Sequence, residues 1–321
     1  MNRSIFSSPC RYGRWLATLA CVAAVAGQVA QAHAQAAGPP SLVNINYEYY
    51  AETDDTTEGN DGRYQLDLFR IRGGFPIELS PVTLVLPLLT YSVLQISPRD
   101  IPPEQSNALN EGDLNLHSGL LNTFVIHQLS KSWTTIAGLG VGIASDLAGD
   151  LDSDDLVVTA TLLFTYALRS DFTLGFGVGY DRRTGELRPL PNFSVNWQPH
   201  PDFAIRGLVP AYLEVAYRVN DRLAVSALGG LDGNQYHLDE GRIGGVEDVD
   251  VAYSTIRTCP ALTANARKVI HLRASVCAVF ARRLELFLDQ ESIGDGSMGD
   301  GWSFGFELWL GPDPWAPPDA D

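Results

Sequence analysis

The chain has 321 residues, of which 45% are apolar and only 19% charged, with 30 glycines, 19 prolines and a formal net charge of −16. Such a length allows one large domain or two ordinary ones, and the apolar fraction excludes wholesale disorder. The acidity argues against a nucleic-acid partner, which calls for a basic face, and only Lys131 and Lys268 stand among the many arginines.

The first 34 residues read as a targeting segment. Arg3, Arg11 and Arg14 form a positive stretch without acids, the apolar run Trp15 to Ala26 follows, and Ala32-His33-Ala34 precedes Gln35. This is the order of a secretory signal peptide cleaved after Ala34, and the apolar run is too short for a membrane helix. Thr18-Leu19-Ala20-Cys21 matches a lipoprotein box poorly, because its Leu is misplaced. The expected divisions are therefore a signal peptide over 1–34, one domain over 35–311 and a Pro-rich tail over 312–321.

Beyond the leader, alternation with period 2 recurs over segments of about 9 to 15 residues, longer than strands of ordinary soluble proteins. In residues 43–51, Val43, Ile45, Tyr47, Tyr49 and Ala51 oppose Asn44, Asn46, Glu48 and Tyr50. Residues 172–181 set Phe172, Leu174, Phe176, Val178 and Tyr180 against three glycines, and Trp302, Phe304, Phe306, Leu308 and Leu310 oppose Ser303, Gly305, Glu307 and Trp309. Residues 191–198 alternate likewise. Further strands are expected at 64–77, 82–96, 114–129, 133–145, 156–168, 203–218, 223–236, 250–265 and 270–288. Within 64–77 the polar parity changes from Gln65 and Asp67 to Arg70 and Arg72, which predicts a bulge near Leu68-Phe69.

Short connections (78–81, 130–132, 169–171, 199–202, 219–222, 266–269) alternate with long ones (53–62, 97–113, 146–155, 182–190, 237–249, 289–300). The long ones gather the acids, and aromatics such as Trp133, Tyr180, Trp197 and Trp302 stand near strand ends. This is the plan of an all-β, antiparallel transmembrane barrel in the bacterial outer membrane, with apolar-out and polar-in strands. A soluble sandwich would also alternate, but strand length, loop asymmetry and glycine on the polar face favour lipid. Thirteen segments violate the even strand number of such barrels. Either the chain turns at Arg206 to Pro210, giving 14 strands, or 192–209 is a hairpin excursion, giving 12, and the reading settles on 12.

Cys259 and Cys277 are the cysteines left after the leader. A hairpin centred near residue 268 sets them directly opposite on the inward face, and export to an oxidising compartment predicts a disulfide. The same parity assigns Glu48, Asp67, Arg70, Arg72, Glu214, Arg257, Arg273, Arg283 and Glu285 to the lumen wall, with Arg206 and Arg218 beside them. Such a wall suits a water-filled channel for small polar solutes or a salt-bridged, closed lumen. Gly138, Gly140 and Gly142 on one strand and Gly175, Gly177 and Gly179 on another form a smooth inner wall, against which loop 97–113 is expected to fold.

Catalytic chemistry finds little support. His117-Ser118 are strand neighbours on opposite faces, and neither G-x-S-x-G nor H-E-x-x-H occurs. Asp150, Asp152 and Asp154 begin like a calcium loop, but Asp155 stands where glycine is needed and Thr161 where glutamate is needed. No enzyme activity, cofactor or resident metal is expected.

With these elements in place, residues 41–311 resemble the uncharacterised porin-like outer-membrane β-barrel families of Gram-negative bacteria. The strand–turn–strand style of Asn192 to Gln198 and of Leu208 through Asn220, with its Pro210, carries the resemblance. It implies lipid, small solutes and the barrel-assembly machinery as partners. The last strand ends near Gly311 instead of on a terminal aromatic, so the assembly signal would be internal, around Trp302 to Leu310.

Overall fold

A computed structural model describes residues 42–54, 63–99, 113–181, 188–238, 249–267, 269–288 and 291–311. The predicted leader, the tail 312–321 and most of loop 97–113 lie outside the described residues. The described strands are β1 (Val43–Asp54), β2 (Arg63–Gly74), β3 (Ile77–Ser80), β4 (Thr83–Arg99), β5 (Leu114–Gln128), β6 (Trp133–Ser145), β7 (Leu156–Arg169) and β8 (Phe172–Asp181). They continue as β9 (Arg188–His200), β10 (Phe203–Val209), β11 (Tyr212–Asn220), β12 (Leu223–Leu238), β13 (Val249–Arg267), β14 (Ile270–Leu288), β15 (Glu291–Met298) and β16 (Gly301–Leu310).

Neighbours along the chain pair antiparallel, and β1–β16 together with β14–β16 close the sheet on itself. Two of the segments extend others. β3 pairs with the start of β4 where β2 has ended, and β15 pairs with the end of β14 where β16 has ended. The wall is therefore a closed antiparallel barrel of 14 strands. Closure removes every open sheet edge, which is what a sheet standing in hydrocarbon requires.

The expected 12 strands are corrected to 14 at residues 203–218. Phe203–Val209 and Tyr212–Asn220 form a hairpin, paired from Phe203↔Tyr217 to Leu208↔Tyr212, that turns at Pro210-Ala211 after a cis Val209–Pro210 bond. The proline that could not donate within a ladder sits outside it, at the turn. The connection missing from the long–short alternation is thus a two-residue turn.

The faces follow the alternation. Leu139, Phe176, Phe193 and Phe306 point outward and are each more than half exposed, while Asn44, Glu48, Asn192, Ser194, Ser303 and Trp309 point inward and are buried. Close backbone packing explains some of the inward glycines. A Cβ on Gly177 would stand 2.1 Å from the Leu162 carbonyl oxygen. At Gly138 the Phe124 ring already fills that space, and Asn122 and Thr159 fill it at Gly140. Side chains of neighbouring strands therefore cover the glycine wall expected to receive loop 97–113.

The bulge predicted near Leu68-Phe69 is not present. β2 pairs with β4 without a shift from Arg63↔Arg99 to Gly74↔Leu88, and even-numbered residues point inward throughout. What changes along β2 is the environment. Toward the short-turn end Phe69 and Ile71 face out and Arg70 and Arg72 face in; toward the long-connection end Gln65 and Asp67 face out and Tyr64, Leu66 and Leu68 face in. Along β2, a lipid-facing stretch with charges inside thus gives way to a water-facing stretch with apolar side chains inside, with the strand phase unchanged.

Candidate functional site

The lumen is layered. At the long-connection end Tyr50, Tyr64, Leu66, Leu94, Ile96, Leu114, Leu116, Tyr236, Val251 and Tyr253 meet in one buried apolar cluster. It is a core of the kind that fills soluble barrels. The cluster extends to Cys259 and Cys277, which form a disulfide with Cα atoms 4.0 Å apart. The opposed register predicted for the cysteines holds, because Thr258↔Ala278 and Ala261↔Ser275 bracket them. Beside the short turns before β4 and β6, Leu84, Ile126, Ile136 and Leu163 form a second, smaller buried cluster with Leu208.

Charged side chains lie below the larger cluster and bridge strands that are not neighbours. Asp232 on β12 accepts from Arg70 on β2 at 3.2 Å and stands 3.6 Å from Arg257 on β13. Arg257 also pairs with the buried Glu48 on β1, which accepts a hydrogen bond from Ser303 at 2.7 Å. A parallel chain runs from Arg206 through Glu214, 2.7 Å from Arg273, to Glu307, 3.4 Å from Arg273. The Arg273 guanidinium lies 5.0 Å from the centre of the Trp309 ring, on which His271 stacks. Such pairs fix the lumen geometry more than they stabilise it, since burying two charges offsets much of their attraction. Losing one partner is costly all the same.

Two cavities of about 230 and 220 Å³ open among these groups and share Arg70, Arg72 and Asp232 in their linings. The first is ringed by the charged wall, with Glu48, Arg257, Arg273 and Glu307. The second turns toward Thr90, Ser92, Ser118, Asn122, Thr159 and Thr161 interleaved with Leu88, Leu120, Phe124 and Val157. One side of the lumen is thus ringed by charge, and the other mixes hydroxyl, amide and apolar side chains with Asp181 among them.

Of the residues assigned to the lumen wall, Glu48, Arg70, Arg72, Glu214, Arg257 and Arg273 face inward together. Asp67 does not. It lies on the outer face, where the Tyr47 hydroxyl donates to it, because no bulge shifts β2. Arg283 and Glu285 also face outward, paired at 3.6 Å. The register slips by one residue between Ser254↔Arg283 and Ile256↔Phe280, and Ala281, at φ 50°, absorbs it. Arg282 takes the inward place and donates to the Thr53 hydroxyl at 2.7 Å. Arg206 points inward, and Arg218 is bonded to Asp202 at the short-turn rim. The parity argument missed Asp232, and it set Glu307 on the polar face of its strand without counting it among the lumen charges.

The histidines hold structural partners. His117 contacts the Tyr91 hydroxyl, His127 the Thr83 hydroxyl and His271 the Asn265 side chain. Among the described residues no group of three or more histidine, cysteine or acidic side chains could hold a metal ion. The Asp152–Asp155 turn uses its carboxylates to accept its own backbone N–H groups.

The fold and lumen define a closed antiparallel barrel with an apolar exterior and a charged, partly filled interior. The chain belongs to the DUF6268 family, described as a domain of unknown function, which matches residues 105–286. No curated protein matches the chain. Solved structures similar to it include the NanC porin, 6% identical, covering 84% of this chain and 99% of that one at a TM-score of 0.38. A COG4313 outer membrane channel from Pseudomonas putida F1 is 11% identical, with 84% and 94% covered and a TM-score of 0.40. The translocator domain of the autotransporter NalP from Neisseria meningitidis is 10% identical, with 92% and 97% covered and a TM-score of 0.36. At such scores none of them bears on what this chain carries.

Proposed function

We propose that the chain is a bacterial outer-membrane channel for small solutes, held here in a state shut toward the long connections. The observation that supports this most is the pairing of an apolar exterior with two polar-lined lumen cavities that meet at Arg70, Arg72 and Asp232. A barrel that only needed to be stable would gain from filling that space with apolar side chains, as the long-connection end does. The six inward charges named above line the path. Their mixed signs suit small polar or amphipathic solutes with a weak charge preference.

A second reading is a closed structural or adhesion-type barrel whose acidic loops face a ligand, and the apolar cluster across the outer half of the lumen favours it. Planar-bilayer recording of the refolded protein separates the two. Discrete current steps whose ion selectivity changes with Arg72→Gln are expected of the channel. A folded, silent barrel would overturn the channel in favour of the structural reading.

A further inference from the structure

The upper half of β12 does something no other strand does among the described residues. Up to Gly229 it pairs with β11 on one side and β13 on the other. Its Leu231 N–H still donates to the Pro210 carbonyl at 3.1 Å; past that it keeps β13 through Leu238 while its other edge leaves β11 and reaches β6. His237 forms a parallel bridge with Ser145 at the end of β6, a strand separated from β12 by five others around the ring. The Asp146 N–H donates to the His237 carbonyl at 3.2 Å, and Tyr236, His237 and Leu238 are all buried there. Residues 231–238 therefore form a strap across the mouth of the barrel.

The residue whose carbonyl takes that bond, His237, is ionisable, and acids surround its side chain. Asp250 on β13 stands 3.2 Å from His237 Nδ1 and also accepts from Gln235 at 2.7 Å. Asp146 follows β6, and Asp152 and the fully buried Asp155 lie on the connection to β7. On β5, His117 sits beside Ser145 in register but faces outward, bonded to Tyr91. Both His237 Nε2 and Asp155 Oδ1 are buried without a hydrogen-bond partner. A neutral imidazole leaves this acidic pocket uncompensated, whereas an imidazolium answers it.

We propose that residues 231–238 are a proton-controlled strap, clamped shut over the lumen when His237 is protonated against Asp250 and Asp155 and released when it is neutral. The strap regulates the lumen path and in that respect rests on the channel reading. His237 lies above the apolar outer band. Burial there would by itself lower its pKa, but the Asp250 hydrogen bond and charge, with Asp155 and Asp152 behind, outweigh burial and hold it above the ordinary value. The clamped state thus binds protons more tightly than the released state. Its extra stability is complete below the ordinary histidine pKa and fades as pH rises through the raised one.

Hydrogen exchange of the Asp146 amide, which the strap's carbonyl holds, and of residues 231–238, corrected for intrinsic rates and followed at about pH 5.5 and about pH 8.5, tests the strap without requiring current. Several-fold faster exchange at the higher pH is expected in the wild type. His237→Gln should exchange fast at both, and Asp155→Asn, which keeps the histidine, should move the transition to lower pH. Equal corrected exchange at both pH values in the wild type would overturn the proposal. Bilayer recording under the same conditions judges the channel separately. A pH-dependent strap on a silent barrel would uphold the strap and sink the channel, and a conducting barrel with a pH-independent strap would do the reverse.

Discussion

The short-turn and long-connection ends of this barrel are built from the same strands, on β2 without any change of phase, yet their two faces exchange chemical character. On β2 the outward pair Phe69 and Ile71 gives way to Asp67 and Gln65, while the inward pair Arg72 and Arg70 gives way to Leu68, Leu66 and Tyr64. β14 does the same across its slip at Ala281, from outward Val276 and Phe280 to outward Arg283. In lipid the outer face must be apolar, so the interior is where charge can be kept. Above lipid the outer face meets water, and an apolar interior becomes the stabilising choice.

Substitutions that confuse the two halves probe this contrast. The largest loss is expected of Glu48→Ala, which takes from Arg257 its buried partner, leaves it Asp232 at 3.6 Å and removes the acceptor of Ser303, and should cost about 3–5 kcal/mol in reversible urea unfolding from vesicles. Leu139→Arg, on the exposed apolar band, should cost about 2–4 kcal/mol in the same assay. Opening the Cys259–Cys277 bridge, with 18 residues of sequence separation, should remove about 3 kcal/mol and make heat-modified gel mobility sensitive to reductant. Gly177→Val should cost about 1–3 kcal/mol through the Leu162 carbonyl. The smallest effect belongs to Asp67→Arg, a charge exchanged on the water-facing half of the same outer face, at about 0.5 kcal/mol or less. A loss there as large as that of Leu139→Arg would erase the distinction between the halves.

How far the sequence carried this picture depended on where a strand met one environment only. β8, β16 and β1 as far as Tyr50 carry a constant pattern, and their faces, like the opposed cysteines, were legible residue by residue. On β2 a change of surroundings mimicked a bulge and misplaced Asp67. On β14 a true bulge at Ala281 hid inside a run of apolar and charged residues and misplaced Arg283 and Glu285. The strand number turned on Pro210, whose place in a two-residue turn depends on pairing that local pattern does not encode. Asp232 became visible as a lumen residue once Arg70 was opposite it in space. The strap is a contact between β12 and β6, distant in sequence and carrying no local signature.

The most direct test of the exchange of faces is a spin-label scan along the outward positions of β2 in reconstituted protein. Labels at Phe69 and Ile71 are expected to collide with oxygen dissolved in lipid, and labels at Gln65 and Asp67 with a water-soluble nickel chelate. If all four were accessible to the chelate alone, the barrel would stand in water along its whole length, and the account of its two halves would be contradicted.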